Sequence, residues 1–373
     1  MGMKRDNSKA VAVLKLLKSE ILAGRHPLGK RFPSETALAR RFNVSRSLVS
    51  QVVGELERLG LVTRRQGSGT FVSKFGARRR IGLMLSGLTY SEYFQPMATA
   101  FMHLAREAGY SLSFSSIRSS RPEIRVCEAR EIVAEFIREH VAGVIYHPLD
   151  YAFDNGRANR RILSALGKAG IPVVLFDSDI EVAPSHSGYD VVSIDNVLAG
   201  ETLARHLLDA GARNIHFLLK PNWMPNAQNR IRGVVCAVSQ AGYRWNSSNV
   251  LVADPTDRVS IARHLRRHPR PDAFICENDN IAAEFLLTLK KLGVAVPQKL
   301  LLAGFDDVNV ARLLCPPMTS VHQPCEEIAA AAFRRILARI VEPALPPQEI
   351  YIRAPLTVRE STRFEGTALK RKE

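Results

Sequence analysis

Ile171-Pro172-Val173-Val174-Leu175-Phe176-Asp177 is apolar almost throughout and ends on a carboxylate. A run this short, opened by Pro and closed by Asp, reads as a strand buried on both faces. Runs of the same kind recur at Ile81 to Ser86, Ser111 to Ser115, Gly143 to His147, Val191 to Asp195, Asn214 to Leu219, Ala273 to Glu277 and Leu300 to Phe305. Between most of them lie stretches of helical periodicity, such as Gln95 to Ala108, Ala129 to Glu139, Val197 to Asp209 and Arg230 to Gln240. The repetition predicts an α/β class with parallel sheets covered by helices, and ligands bind such sheets outside the carboxyl ends of the strands.

Polar residues at those ends are therefore the candidate ligand contacts: Ser86, His147, Asp177, Asn278 with Asp279, and Asp306 with Asp307. Taken singly, an Asp or Asn at a strand end is more often a cap or turn former. Their recurrence at successive ends points to a cleft lined with carboxylates and amides, the groups that hydroxyl-rich ligands need.

Toward the N-terminus the pattern changes. Residues 1 to 80 hold 18 Lys and Arg against 5 Asp and Glu, and the remainder holds 34 against 31, so the basic partner is expected at this end. Ala10 to Ala23 reads as an amphipathic helix ending near Gly24, and Pro33-Ser34-Glu35 starts a short helix capped by Ser34 and closed by Asn43. A longer helix follows from Ser45 to Gly60, with Val49, Val52, Val53, Leu56 and Leu59 at helical spacing. That stripe predicts Arg46, Ser47, Leu48, Ser50 and Gln51 outward near the helix start, the end that a helix-turn-helix protein inserts into the major groove. Arg46 suits guanine, Gln51 adenine, and Leu48 a thymine methyl. Leu61 to Val72 then reads as two strands around a Gly-containing turn, a wing that carries Arg64, Arg65, Gln66 and Gly67. Ser73 to Arg80 lacks apolar periodicity and reads as a basic tether, which serves either to track phosphate or simply as a solvated linker.

The ordered set Pro-Ser-Glu, Asn-Val-Ser-Arg, Gly-Leu-Val and Gly-Ser-Gly-Thr-Phe-Val resembles the N-terminal winged helix-turn-helix domain of the GntR family, over about Val11 to Ser73. The resemblance implies that Ser45 and Arg46 hold phosphate and base and that Gln66 and Gly67 reach the minor groove, with Ser34 in the same interface. Thr36 and Ser50 stand where family members often carry Arg, so the operator sequence is expected to differ from the commonest family sites.

From about Arg80 to Ser361 the chain resembles the effector domain of the LacI/GalR family, itself similar to periplasmic sugar-binding proteins. The matching motifs are Ile81 to Met84, Gly143 to Ile145, Ile171 to Asp177, Arg230-Ile231-Arg232-Gly233, Glu277-Asn278-Asp279, Ala303 to Asp307 and Pro317 to Pro324. The resemblance implies two lobes hinged around a cleft, the first near 81 to 188 with a returning segment around 321 to 345. It places family ligand contacts on Asp177, Arg230, Asn278, Asp306 and Gln323, with a sugar as the expected effector. No sugar-stacking aromatic stands in Ala253 to Val259, which leaves Trp223 as an open substitute, and no hinge helix follows the reader. A GntR-like reader joined to a LacI-like sensor resembles the arabinose-repressor arrangement.

Taken together these readings predict a ligand-responsive repressor that binds double-stranded operator DNA as a homodimer. Its parts are a reader at 1–73, a linker at 74–80, a two-lobed sensor at 81–361 and a basic tail at 362–373. The alternative is a GntR-like reader fused to an aminotransferase-like domain using pyridoxal phosphate, but Lys290, Lys291 and Lys299 lie in a helix and its exit, poorly placed for a Schiff base. No cofactor and no metal is expected: the five cysteines are widely spaced, and His264 and His268 lack the Glu of a metalloprotease. Without an apolar run of about 20 residues or an apolar leader, a cytoplasmic setting with no membrane contact is the expectation.

Overall fold

The computed structural model describes residues 2–22, 25–27, 29–58, 60–73, 80–86, 92–119, 121–150, 156–221, 223–266 and 270–363. Most of the expected linker, the tail from 364, Gly24, Leu59 and His268 lie outside them.

The reader is built from α1 (Gly2–Leu22), α2 (Glu35–Phe42), α3 (Arg46–Arg58) and a wing of β1 (Val62–Arg65) and β2 (Gly69–Val72). Val13, Leu17 and Ile21 share one face of α1 and bury against Leu38 of α2 and Val49, Val52, Val53 and Leu56 of α3. Ser34 Oγ accepts from Ala37 N at 3.2 Å to start α2. Asn43, at φ 50, ends it. Ser45 Oγ accepts from Leu48 N at 3.2 Å, so the turn between the two helices is closed by the backbone N–H of left-handed Asn43 on one side and by a side-chain cap on the other. Antiparallel pairing runs from Val62 opposite Val72 to Arg65 opposite Gly69, and Gly67 takes the positive φ of 73 that the tight wing turn requires.

The remaining chain runs β3 (Arg80–Leu85), α4 (Phe94–Glu107), β4 (Ser111–Ser116), α5 (Pro122–Arg138), β5 (Gly143–Tyr146), α6 (Arg157–Lys168), β6 (Val173–Phe176), β7 (Asp190–Ile194), α7 (Asn196–Asp209), β8 (Ile215–Leu219) and α8 (Pro225–Gln240). It continues through β9 (Val250–Val252), α9 (Arg258–Leu265), β10 (Ala273–Cys276), α10 (Asp279–Lys291), β11 (Leu301–Asp306), α11 (Asn309–Leu313), β12 (Thr319–His322), α12 (Cys325–Val341), β13 (Glu349–Ile352) and β14 (Leu356–Thr357). Among the described residues these strands form two six-stranded sheets, in the orders β13-β7-β6-β5-β3-β4 and β14-β12-β11-β10-β8-β9. Every pairing in them is parallel except β12 with β14. Successive side chains of β6 explain the unbroken apolar run: Val174 and Phe176 pack in the core that also holds Phe101 of α4 and Ile336 of α12. Val173 and Leu175 pack with Phe136 and Ile162 on the other face.

The lobe limits differ from the expected ones. β7 lies past residue 188 yet pairs with β6, β12 belongs to the second sheet, and the elements that return to the first lobe are α12 and, beyond the expected segment, β13 at the edge next to β7. Short edge strands such as β13 and β14 carry exposed or half-buried side chains and so lack the apolar run by which the central strands were read.

Candidate functional site

Two glycines set the position of Arg230. A Cβ on Gly200 of α7 would lie 2.0 Å from Arg230 O, and one on Gly233 of α8 would lie 1.9 Å from Val197 O, so the two helices cross with their backbones in contact. Arg230 thus enters the interlobe cleft at a fixed height. Its Nε donates to Asn196 Oδ1 at 2.9 Å, its Nη1 to Glu277 O at 2.5 Å, and its guanidinium lies 4.3 Å from the centre of the Phe305 ring.

Around it the strand ends converge on a cavity of about 150 Å³ lined by Tyr93, Phe94, His147, Asp177, Met224, Asn226, Arg230, Glu277, Asn278, Asp306 and Gln323. The sequence-predicted His147, Asp177, Arg230, Asn278, Asp306 and Gln323 are all among them. Ser86 stands one layer back, its Oγ bonded to His147 Nδ1 and donating to Pro148 O at 3.0 Å. Asn278 lines the cavity but its Oδ1 accepts from Ile281 N at 3.0 Å, capping α10. Both Asp177 and Asp306 leave their strands at positive φ, 68 and 102, conformations that non-glycine residues keep only where their surroundings over-determine them.

Asp177 Oδ1 accepts from Tyr93 Oη at 3.1 Å and from Gln323 Nε2 at 3.4 Å, while Oδ2 accepts from Asn226 Nδ2 at 2.9 Å and lies 3.3 Å from His147 Nε2. Burial acts to raise its pKa, but the hydrogen bond and charge of His147, with the charge of Arg230, outweigh this and hold the carboxyl below its ordinary value. Asp306 behaves oppositely, pushed up by burial against the opposing charge of Arg230, whose Nη2 stays 3.9 Å away. Burial also lifts Glu277 to about 7. Gln323 donates from Nε2 to Asp306 Oδ1 at 3.1 Å, and its Oε1 is buried with no hydrogen-bond partner among the described residues.

Sequence reading missed Tyr93, Phe94, Met224, Asn226 and Glu277 as lining residues. A signal existed for Asn226, since Pro225 marks the first turn of a helix at a strand exit. Trp223 packs half-buried against the core and is not among the cavity-lining residues; the aromatic wall is Tyr93 and Phe94, whose rings lie 5.1 Å apart, with Phe94 edge-on to His147. Elsewhere Asp179, His186 and Glu349 bring donor atoms within 4.8 Å, but Asp179 already accepts from three backbone N–H groups and His186 pairs with Glu349.

On the reader, Arg46, Ser47 and Gln51 are exposed on α3, and Arg65, Gln66 and Gly67 are exposed at the wing. Leu48 corrects the expectation: it is 7% exposed and packs in the reader core. It lies one turn before Val52, on the edge of the buried stripe, so it cannot face a base without leaving that core. Ser50 and Arg64 are engaged with each other, Arg64 Nη2 donating to Ser50 O at 3.1 Å and to Glu35 Oε1 at 2.9 Å, which ties the wing to α2 and α3. Ser34 and Ser45 are exposed but act as the caps described above.

Residues 9–72 match the model for bacterial regulatory proteins of the gntR family, and residues 204–362 match that for the periplasmic binding protein-like domain. The chain is 29% identical over 358 residues to an arabinose metabolism transcriptional repressor of Geobacillus stearothermophilus, a match covering 92% of this chain and 95% of that one. It is 28% identical over 290 residues to the ribose operon repressor of Bacillus subtilis (strain 168), covering 77% of this chain and 82% of that one. A solved complex of the transcriptional regulator CelR with cellobiose has the same fold, with a TM-score of 0.66 at 23% identity over 88% of this chain and 100% of that one.

Proposed function

We infer that this chain, which joins a gntR-family regulatory domain to a periplasmic binding protein-like domain, is a transcription repressor whose hold on operator DNA responds to a sugar in the interlobe cleft. The observation that carries the sugar reading is the convergence of Asp177, Asp306, Asn226, Arg230 and Gln323 on one small cavity, where Gln323 Oε1 is buried without a partner among the described residues. An unmet acceptor buried in this way is costly, and a ligand hydroxyl supplies the donor it needs. A cavity of about 150 Å³ suits one monosaccharide ring, with the Tyr93 and Phe94 rings as its apolar wall.

Three carboxyl groups, Asp177, Glu277 and Asp306, stand beside Arg230 and His147. That balance favours a neutral polyol over a phosphorylated or acidic sugar. On the reader, the exposed Arg46 and Gln51 are the side chains assigned to base edges, with Ser47, Arg65, Gln66 and Gly67 assigned to backbone and groove contacts. Operators of two-fold symmetry need two readers, so a homodimer is the working assembly, placed with the DNA in the cytoplasm. Among the described residues no helix is long and apolar enough to cross a membrane.

The test is calorimetry against L-arabinose, D-ribose, cellobiose and D-ribose 5-phosphate, followed by titration of a duplex selected by the protein from a random pool, with and without each sugar that binds. A neutral monosaccharide that binds and shifts duplex affinity is the expected result. A protein that prefers no duplex over random sequence, or binds the phosphorylated sugar best, overturns the reading.

A further inference from the structure

α12 begins two residues after Gln323 of the cleft and ends against the reader. Its last turns are fixed to the first lobe by Asp190, a fully buried carboxylate at the start of β7 that accepts from Arg335 Nε and Arg339 Nε, each at 2.7 Å. Arg335 Nη2 also donates to Pro346 O at 2.6 Å and Arg339 Nη1 to Leu345 O at 2.7 Å, so the loop after the helix is held by the same two side chains. A buried acid shared by two guanidiniums that are themselves hydrogen-bonded leaves little freedom, and α12 moves with the first-lobe sheet.

The carboxyl end of a helix leaves carbonyls without intrahelical donors and carries partial negative charge. Lys18 of α1 donates from Nζ to Ile340 O at 2.5 Å, in the last turn of α12. Lys15, three residues earlier on the same face of α1, places its Nζ 2.6 Å from Glu342 Oε2, at the residue that caps the helix. Next to these contacts lies a cavity of about 390 Å³, with Lys18 and Leu61 on the reader side and Ile137, Ile171 and Pro172 on the lobe side. Among the described residues, the two domains therefore meet through polar anchors at one helix end beside this cavity.

We propose that the carboxyl end of α12 is the docking surface on which the DNA reader rides, with Lys18 capping Ile340 and Lys15 paired to Glu342, so that the reader follows the first lobe. The consequence for regulation rests on the repressor reading: whatever turns the first lobe when the cleft is occupied turns the reader with it. The contact itself stands or falls separately.

Zero-length carbodiimide coupling of the full chain tests it, because only a lysine already touching a carboxylate is joined. Peptides linking Lys15 to Glu342 are expected, with Lys220 to Glu284, an exposed pair at 3.6 Å within the second lobe, as the internal control. Mixing 14N and 15N protein separates links within one chain from links between copies. Lys15→Glu and Glu342→Lys are each expected to speed trypsin cleavage between Ser73 and Arg80 at least threefold, and the double exchange to restore the wild-type rate. At 55% and 42% exposure these side chains are changed without opening a core. Recovery of the control link without the Lys15 link, or a double variant cleaved as fast as the singles, overturns the docking surface even if the protein responds to sugar. Failure to bind any sugar or duplex, with the link and the rescue intact, overturns the repressor reading and leaves the docking surface standing.

Discussion

Asn226, at the start of α8 on the second lobe, donates its side-chain amide to Asp177 Oδ2 on the first lobe at 2.9 Å. With Gln323, which reaches both Asp177 and Asp306, it makes Asp177 the acceptor on which the two lobes are latched together. A ligand that shares or replaces this latch makes contacts in the closed cleft that an open one does not offer, and only such a difference can bias the lobe arrangement.

Asp177→Asn keeps the shape of the side chain and removes its charge. Effector binding is expected to weaken by about 1.5–3 kcal/mol, the range for a lost charge-assisted hydrogen bond, measured as Kd by calorimetry. An unchanged Kd would remove Asp177 from the binding site.

The reader offers a pair of contrasting substitutions. Arg46→Ala is expected to weaken specific duplex binding by about 1–3 kcal/mol with no loss of stability. Leu48→Ala, by contrast, empties part of the core shared by α1, α2 and α3, and urea unfolding should show a loss of about 2–5 kcal/mol. A Leu48→Ala protein as stable as wild type but altered in base preference would restore the outward reading of this residue.

Burial lifts the Glu277 carboxyl from 4.5 to about 7. Between those values the folded state holds a proton that the unfolded chain has released, so stability falls as pH rises through that window. The fall attributable to Glu277 is on the order of 3 kcal/mol, and Glu277→Gln, which stays neutral, is expected to flatten it. Thermal unfolding of both proteins from pH 4.5 to 8 reads the difference directly, and parallel curves would refute it.

Asp190→Ala leaves Arg335 and Arg339 without their shared partner inside the first lobe. Removing one member of a buried ionic group costs about 3–5 kcal/mol, seen as a lower urea midpoint for the larger domain. Because the clamp also orients the end of α12, the trypsin cleavage between Ser73 and Arg80 is expected to accelerate in the same variant.

Much of the architecture was legible because its causes are local. β3, β5, β6, β8 and β10 are buried on both faces, so each announces itself as an apolar run closed by a polar residue. Ser34, Asn43, Ser45 and Gly67 write the turns of the reader in their own side-chain and backbone preferences. Leu48 was misread because its neighbours Val49 and Val52 fit the apolar stripe more plainly, although spacing from Val52 already placed it at the edge.

The order of DNA-binding and ligand-binding domains was legible from motifs that resemble two known families, and the α/β class and the strand-end residues His147, Asp177 and Asp306 from periodicity and short turns, all of them local signals. Packing of distant segments set the rest: that Asn226 meets Asp177, that β13 joins β7 at the edge of the first-lobe sheet, and that Lys15 and Lys18 meet the end of α12. Those pairings join residues 49 to more than 300 positions apart, and no local preference encodes a partner that chain packing alone brings into reach.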